Sequence, residues 1–290
     1  MVARAAIVIA IFNLIDRAAT RLAAAGIEAP RLDAELLLAH AAGKSRIEVI
    51  GGTFPCDDET GRRFEASIAR RAAREPLAYI TGHREFYSLD LLVTPAVLIP
   101  RPETEMIVEA ALEFAARHPK VSILDMGTGS GCIALAIAAN APAARIVASD
   151  ISATALAVAR ANAERLGLAN RIEFVQSDLF GQLNDRRFDL IVSNPPYVEE
   201  RAALAPEIRD YEPAAALFAG PDGMACHRRI AASMRDHLTS GGVLITEIGA
   251  AQADGVIETL LLSGAIETDE KKDLAGLPRA IVASFPEFQL

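Results

Sequence analysis

The segment Asn194-Pro195-Pro196-Tyr197 has the residue types needed to hold a planar NH2 group for reaction. The nitrogen of such a group has a delocalised lone pair and is therefore a poor nucleophile. The Asn194 side-chain oxygen and the Pro195 carbonyl can both accept its hydrogens, which favours a pyramidal, reactive nitrogen. Pro195 and Pro196 make the loop rigid, and the Tyr197 ring can pack on the flat acceptor. We expect all four residues to bind the substrate, and Asn194, Pro195 and Tyr197 to be catalytic.

A glycine-rich turn precedes this segment, between a predicted strand at 121–126 and a predicted helix at 131–140. Its sequence is Asp125-Met126-Gly127-Thr128-Gly129-Ser130-Gly131. Glycines allow a tight turn and close approach of a ligand to the backbone, and the helix amides point at that ligand. Asp150 ends the next predicted strand, at about the spacing where a carboxylate meets a ribose diol. Asp178 ends the third strand and is followed by Leu179.

These residues indicate an S-adenosylmethionine site more than a dinucleotide site. A nicotinamide enzyme uses GxGxxG, whereas this turn has GxGxG and Cys132 in the next position. The Asp125 carboxylate can anchor the turn and reach toward a methionine amino group. A nicotinamide oxidoreductase gives no reason for the Asn-Pro-Pro-Tyr segment. Intact Asp150 and Asn194 argue against a non-catalytic binding module.

The elements around these motifs alternate between strand and helix. The predicted strands are VSILDMG, RIVASD, RIEFVQSD, FDLIVSNPP and GGVLITEIG, with helices at 131–140, 152–166, 223–239 and 250–262 and two further strands near 265–271 and 279–285. Repeated strand–helix units predict a parallel sheet that is covered on both faces. We therefore expect an α/β fold of the Rossmann-like class I S-adenosylmethionine methyltransferase type, with a mostly parallel seven-stranded sheet. Ligands of such sheets bind outside the carboxyl ends of the strands.

The chain divides into three predicted regions. Residues 1–75 contain helical patterns only, and we expect four or five short helices forming a substrate-recognition domain. An apolar run near the N-terminus resembles a weak signal sequence, but it continues into helical spacing and predicts a buried helix at 6–25. Residues 76–100 are rich in β-branched and aromatic residues, which predicts a β-hairpin linker over 77–99. Residues 101–290 form the predicted methyltransferase domain.

Composition and net charge disfavour some classes of binding partner. The chain has 290 residues and a formal net charge of −9, of which residues 76–290 carry −10. This acidic balance disfavours direct binding of nucleic acid. The cluster Arg62, Arg63, Arg70, Arg71 and Arg74 is an exception, either as a solvated helix face or as a docking surface. Three separated cysteines, interpreted as small buried hydrophobic residues, indicate a reduced cytoplasmic protein without a metal site.

Several segments together resemble the release factor glutamine methyltransferases, the HemK/PrmC family. They are PLAYITGHREFYSLDLLVTPAVLIPRPETE, DMGTGSG, SNPPY, GPDGM at 220–224, TEIG at 246–249 and KDLAG at 272–276. The resemblance covers nearly the whole chain. The Asn-Pro-Pro-Tyr motif is shared with adenine- and guanine-modifying enzymes, so a nucleic-acid amino methyltransferase (adenine N6 or guanine N2) is the alternative. The IPRPETE segment is more specific to the protein-modifying family.

The resemblance implies methylation of the glutamine amide in the Gly-Gly-Gln loop of class I peptide chain release factors. The cofactor is S-adenosyl-L-methionine, the product is S-adenosyl-L-homocysteine, and no membrane is involved. The implied cofactor contacts include Asn194 and Leu179, although some members have an aromatic residue at the latter position. The family also places the segment of Arg101 and Glu103 near the active site, over bound cofactor, and the alternative is an exposed turn with Thr104 as a helix N-cap. We expect a monomer.

Overall fold

A computed structural model describes residues 2–52, 54, 56–118 and 120–287, and only the backbone of residues 2–10. The helices are α1 (Val2–Ala24), α2 (Pro30–Ala42), α3 (Arg46–Ile50), α4 (Asp58–Ala72), α5 (Leu77–Thr81), α6 (Glu105–Arg117), α7 (Cys132–Asn140), α8 (Ala153–Arg165), α9 (Pro206–Arg209), α10 (Ala225–Ser233) and α11 (Ala253–Leu262). The strands are β1 (His83–Phe86), β2 (Leu89–Leu92), β3 (Ser122–Met126), β4 (Arg145–Asp150), β5 (Ile172–Gln176), β6 (Phe188–Ser193), β7 (Leu238–Glu247), β8 (Glu267–Lys272) and β9 (Pro278–Ser284).

The chain forms two compact units. The helical unit comprises residues 1–83 and 204–211, and the sheet unit comprises residues 84–203 and 212–290. The second segment of the helical unit thus lies between two segments of the sheet unit in the sequence. In the described part of the chain, no helix is long and apolar enough to span a bilayer.

The helical unit has its own apolar core. Ile11, Ile15 and Leu22 of α1 share one face at helical spacing, and they pack with buried residues of α2 and α4 such as Leu37 and Phe64. A capping box on Ser45 begins α3, and the Asp57 side chain caps α4. The helix predicted for 6–25 is α1, and at 23 residues it is not short.

The arginine cluster, with four members on α4 and Arg74 just after it, is paired with acidic residues within the helical unit. Arg71 is buried, and its Nε lies 2.7 Å from Oδ2 of Asp33. Glu207 accepts from both Arg71 at 3.4 Å and Arg74 at 2.6 Å. The Tyr211 hydroxyl donates to the Ala73 carbonyl at 2.7 Å. Residues 204–211 are therefore held by the end of α4 and the two residues that follow it, and the prediction of a solvated helix face is wrong at Arg71.

The sheet unit contains a seven-stranded sheet in the order β5-β4-β3-β6-β7-β9-β8. The pairs from β5 through β7 are parallel, and β9 runs antiparallel to both β7 and β8. The strand order reverses between β3 and β6, which is where open α/β sheets bind ligands. The predicted mostly parallel seven-stranded fold is confirmed.

Both faces of this sheet are covered. On β3, Ile123 belongs to the apolar cluster that includes α6 and α7, whereas Leu124 belongs to the cluster that includes α10 and α11. Successive strand side chains point to opposite faces, so a strand buried on both sides is apolar at every position. The short apolar runs Ile123–Leu124 of β3 and Leu190–Val192 of β6 follow from this layering.

Two predicted element boundaries are wrong. Leu77–Thr81 forms α5 rather than the first part of a hairpin, because Pro76 is tolerated at a helix start and Gly82 ends the helix with φ of 78°. The two-stranded sheet is confined to β1 and β2. The helix predicted at 223–239 ends at Ser233, and a 3-10 turn, Met234–His237, then leads directly into β7.

Candidate active site

A cavity of about 620 Å³ lies in the sheet unit at the carboxyl ends of β3, β4 and β6. Ten of the predicted site residues line it: Gly127, Thr128, Gly129, Ser130, Asp150, Asp178, Leu179, Asn194, Pro195 and Pro196. Asp125, Gly131 and Tyr197 are outside this lining. The volume suits a small-molecule site. The glycine turn and the Asn-Pro-Pro segment, about 65 residues apart in the sequence, thus border one space because β3 and β6 are adjacent.

The glycine turn leaves open space on the cavity side. Gly127 and Gly129 have φ of 75° and 57°, values that side chains other than glycine rarely adopt. A Cβ at either position would meet nothing within 4 Å. Gly131 differs, because a Cβ there would lie 3.2 Å from the Ala159 Cβ. The first two glycines therefore admit a ligand to the backbone, and the third admits close packing of α8 against the turn.

Asp125 anchors this turn from below the cavity. Its Oδ2 accepts from the Thr128 hydroxyl at 2.6 Å and from the Ala134 amide at 3.0 Å. Its Oδ1 is buried and has no hydrogen-bond partner among the described residues. Burial raises the pKa of the Asp125 carboxyl to about 7. An acceptor atom without a donor at this position fits a cofactor that brings a positively charged amino group.

Asp150 joins the turn to the end of β4. Its Oδ2 accepts from the Gly129 amide and its Oδ1 from the Ser152 amide, both at 2.9 Å. Each carboxylate oxygen has a further lone pair, so the group can still accept from a ribose diol. Burial raises the pKa of Asp150 from its usual range, opposed by these amide donors.

Asp178 and Leu179 occupy the rim beyond β5. Both Asp178 carboxylate oxygens lie 2.9 Å from the Arg229 guanidinium on α10, in an exposed ion pair. Leu179 has φ of 48°, an uncommon value for a residue with a Cβ. The Asp178 side chain is therefore engaged by an arginine that the sequence pattern did not indicate.

The Asn-Pro-Pro-Tyr segment is tied to the end of β7 by side chains. Asn194 Nδ2 donates to Thr104 Oγ1 at 3.1 Å, and Thr104 donates to Glu247 Oε2 at 2.7 Å. The Tyr197 hydroxyl donates to Glu247 Oε1 at 3.0 Å. Thr104 stands at the N-cap position of α6, but its side chain makes no capping hydrogen bond and is buried, so the alternative of an exposed, capped turn is wrong. Tyr197 is half-buried, with its hydroxyl on Glu247 rather than at the cavity wall.

Glu247 is the central acceptor of this network. It is 2% exposed, and burial raises its pKa to about 7 against the lowering effect of the two hydroxyl donors. Burial and the neighbouring Glu247 also raise the pKa of Tyr197 above its usual value. The sequence motifs had assigned no role to Glu247. An acidic residue just after the apolar run Val243–Ile245 was the signal that could have indicated one.

Gln252 and Gly223 lie against the Tyr197 backbone in the same segment. Gln252 Nε2 donates to the Tyr197 carbonyl at 3.0 Å, while its Oε1 accepts from the Gly249 amide at 2.9 Å. A Cβ at Gly223 would lie 2.3 Å from the Tyr197 carbonyl oxygen. Tyr197 is thus fixed at its hydroxyl and at its carbonyl, and neither contact was predicted.

The segment before α6 borders the cavity through Arg101 and Thr104. The Arg101 guanidinium donates to Glu212, and the Ile99 amide donates to the other oxygen of the same carboxylate at 3.0 Å. Glu212 is buried and precedes the cavity-lining Pro213. One carboxylate therefore joins two backbone segments at the cavity wall. Glu103 is exposed and is not part of this lining.

The three cysteines are free and partly exposed, so the prediction that they are buried is wrong. Cys132 and Cys226 border the cavity, which accounts for their exposure. Among the described residues, no group of three or more histidine, cysteine or acidic side chains is placed to hold a metal ion.

Comparison with known proteins agrees with this architecture. A family model described as "Methyltransferase small domain" matches residues 104–210, and one described as "PrmC N-terminal domain" matches residues 13–82. The fold resembles the hMettl16 catalytic domain (TM-score 0.57, 18% identity, 77% of this chain and 84% of that one). It also resembles a methyltransferase from Pyrococcus furiosus (TM-score 0.51, 17% identity, 77% and 98%).

Two curated relatives are much more similar in sequence. The release factor glutamine methyltransferase of Koribacter versatilis is 44% identical over 93% of this chain and 97% of its own length. That of Cereibacter sphaeroides is 45% identical over 93% and 96%. The fold and the cavity define a class I S-adenosylmethionine-dependent methyltransferase. At this identity and coverage, the chain belongs to the release factor glutamine methyltransferase family.

Proposed function

We propose that this chain methylates the side-chain amide nitrogen of the glutamine in the Gly-Gly-Gln motif of class I peptide chain release factors. The observation that carries the proposal is the setting of Asn194 and Pro195, which line the cavity beside the glycine turn. Asn194 is held there through its Nδ2 by Thr104. The names of the similar curated enzymes support the same substrate.

We propose that the cofactor contacts are those predicted from sequence. The open backbone at Gly127 and Gly129, the two-oxygen acceptor of Asp150 and the unsatisfied Oδ1 of Asp125 fit S-adenosylmethionine. When bound, the cofactor supplies a methyl group on a positively charged sulfur. Asp125 orients the turn through Thr128, and Asp150 fixes the position of Gly129.

We propose that Asn194 Oδ1 and the Pro195 carbonyl accept the two hydrogens of the glutamine NH2 group. This geometry holds the nitrogen in line with the methyl group and favours its pyramidal form, so positioning and fixed dipoles lower the barrier. The glutamine nitrogen would take the methyl group that bound S-adenosylmethionine supplies, and the cofactor would leave as S-adenosylhomocysteine. One amide proton then leaves to water, since N-alkylation makes it strongly acidic, and no strong base is required.

The sequence predictions on domain roles, oligomeric state and localisation accompany this proposal. We propose that residues 1–75 contribute to recognition of the release factor, that residues 76–100 link them to the methyltransferase domain at 101–290, and that the enzyme acts as a monomer in the cytoplasm. We also propose that it makes no direct nucleic-acid contact. The pairing of Arg71 and Arg74 with acidic residues and the net charge of −10 over residues 76–290 support this.

Mass spectrometry of an unmethylated release factor tests the function. After incubation with the enzyme and S-adenosylmethionine, we expect a gain of one methylene on the Gly-Gly-Gln peptide. A release factor carrying Gly-Gly-Glu instead has no NH2 group and should gain nothing. Transfer of labelled methyl to purified nucleic acid, and none to release factor, would replace the proposal with a nucleic-acid amino methyltransferase.

A further inference from the structure

We propose that Thr104 and Glu247 are positioning residues that fix which end of the Asn194 side-chain amide faces the cavity. The proposal rests on the function above, in which Asn194 holds the acceptor NH2 group. It assigns a role to two buried residues from separate parts of the chain, one before α6 and one at the end of β7.

The three side chains meet because of the sheet topology. Ser193 pairs with Thr246 in the parallel ladder between β6 and β7, so Asn194 and Glu247 are the next residues of adjacent strands. Thr104 is 1% exposed and lies between them, with Oγ1 at 3.1 Å from Asn194 Nδ2 and 2.7 Å from Glu247 Oε2. The contact is therefore a continuous chain of hydrogen bonds from the β7 terminus to the cavity wall.

The direction of these hydrogen bonds is set by Glu247. An ionised carboxylate only accepts, and here it receives the hydroxyl hydrogens of both Thr104 and Tyr197. A threonine hydroxyl has a single hydrogen, so Thr104 can offer only a lone pair to its other neighbour. Asn194 must therefore present its NH2 group to Thr104. Its oxygen is the end left for the substrate.

This orientation matters for the reaction because the glutamine NH2 group has hydrogens to donate and needs acceptors. A reversed Asn194 amide would place one NH2 group against another, and the cavity would lose an acceptor. The two ends of an amide are nearly identical in size, so steric packing does not select between them. Among the described residues, the polarity of the Thr104 oxygen, set by Glu247, makes the choice.

Protonation of Glu247 would remove this control. A protonated carboxyl can donate to Thr104, whose own hydrogen is then free to point at Asn194 and stabilise the reversed amide. The charged groups acting on Glu247 are Glu103, which raises its pKa, and Arg279, which lowers it. Tyr197 and Thr104 donate to its side chain. The His227 ring contacts only its main-chain oxygen, at 2.9 Å.

Substitution at Thr104 provides the first test. Thr104→Val keeps the shape but removes the hydroxyl, and Thr104→Ser restores it. We expect Thr104→Val to lower kcat for release factor methylation about ten-fold, with a smaller change in KM. Affinity for S-adenosylhomocysteine, measured by calorimetry, should be unchanged. Thr104→Ser should return kcat to within about two-fold of the native value.

The outcomes separate the inference from the function on which it rests. A native enzyme that does not methylate release factor ends the proposed function. A native enzyme that does so, with Thr104→Val equally active, ends the inference alone. Equal losses in Thr104→Val and Thr104→Ser would show that packing, not the hydroxyl, is what matters, and would also overturn it.

The pH dependence of Glu247→Gln gives a second test that does not depend on the Thr104 variants. Burial places the Glu247 pKa at about 7, so we expect native kcat to rise with pH over about one unit on either side of that value. Glu247→Gln should show a lower kcat and a shallower rise, with any remaining slope due to Asp125. Identical pH profiles for the two enzymes would contradict the proposal.

Discussion

The Gly129 amide donates to Oδ2 of Asp150 at 2.9 Å, which joins the glycine turn after β3 to the end of β4. The same carboxylate accepts from the Ser152 amide through its other oxygen. Asp150 therefore shapes the turn even before a ligand binds, and it has lone pairs left for a diol. A residue predicted as a cofactor contact therefore also supports the glycine turn.

We expect Asp150→Asn to weaken S-adenosylhomocysteine binding about ten-fold or more. An asparagine has one acceptor oxygen, so it cannot receive both backbone amides and a diol. Calorimetric titration measures the change. Asp269→Asn, at an exposed ion pair with Lys271, is the matched control and should bind normally. Normal affinity in Asp150→Asn would contradict the ribose role.

Asn194→Ala should reduce methyl transfer to release factor by at least about 100-fold, because it removes an acceptor that acts mainly in the transition state. Single-turnover assays with bound cofactor measure this rate directly. Asn140→Ala, at an exposed site where the side chain donates to the Ala136 carbonyl at 2.9 Å, serves as the control. Near-normal turnover in Asn194→Ala would remove this residue from the mechanism.

Gly223→Ala should displace the Asn-Pro-Pro-Tyr segment and lower turnover, because its Cβ would lie 2.3 Å from the Tyr197 carbonyl oxygen. Gly276→Ala is a matched control. Both glycines have positive φ, 68° and 78°, but a Cβ at Gly276 meets nothing within 4 Å. Both variants bear the backbone strain of about 1 kcal/mol, and only Gly223→Ala should lose activity. Equal activity in the two would show that the loop tolerates the shift.

Stability should depend on the protonation of Asp125. Its pKa is raised from 3.8 in the unfolded chain to about 7, so its contribution is full below the lower value. That contribution is lost as pH rises through about 7, at a slope of up to about 1.4 kcal/mol per pH unit. Urea unfolding across this range should show a smaller pH dependence in Asp125→Asn. An unchanged slope would mean that Asp125 ionises normally.

Arg71→Ala should destabilise the helical unit by about 3 kcal/mol, because it leaves the buried Asp33 carboxylate without its partner. Arg62→Ala removes an exposed pair with Glu59 from the same helix and should cost less than about 1 kcal/mol. The difference between their urea midpoints measures the effect. Equal midpoints would show that the buried ion pair adds no more to the free energy of unfolding than the exposed one.

Much of the sheet could be predicted because the residues that indicate each strand and each turn are consecutive in the sequence. Strands buried on both faces appear as short apolar runs, and glycines and acidic residues follow them at fixed positions. The turn at Gly127–Gly131 needed only consecutive residues. The helix Leu77–Thr81 could not be distinguished from a strand, because a short apolar run between proline and glycine fits either structure.

The supports of the Asn-Pro-Pro-Tyr segment could not be predicted in the same way. Thr104 and Glu247 are 143 residues apart, and their contact depends on β6 and β7 being neighbours. Local pattern made Thr104 a plausible N-cap, and nothing near it in sequence indicated a buried carboxylate. Gln252 and Gly223 are likewise brought to Tyr197 only by the tertiary fold.

The contacts of residues 204–211 limit how the helical unit could be exchanged with that of another protein. Glu207 binds Arg71 and Arg74, and Tyr211 binds the Ala73 carbonyl, yet the flanking residues Pro196 and Pro213 border the cavity. The helical unit is therefore made of two separate segments of the chain and cannot be exchanged at a single junction. A chimera that exchanges only the N-terminal helices would pair foreign side chains with the native loop. Grafting a new helical unit requires exchanging both segments together.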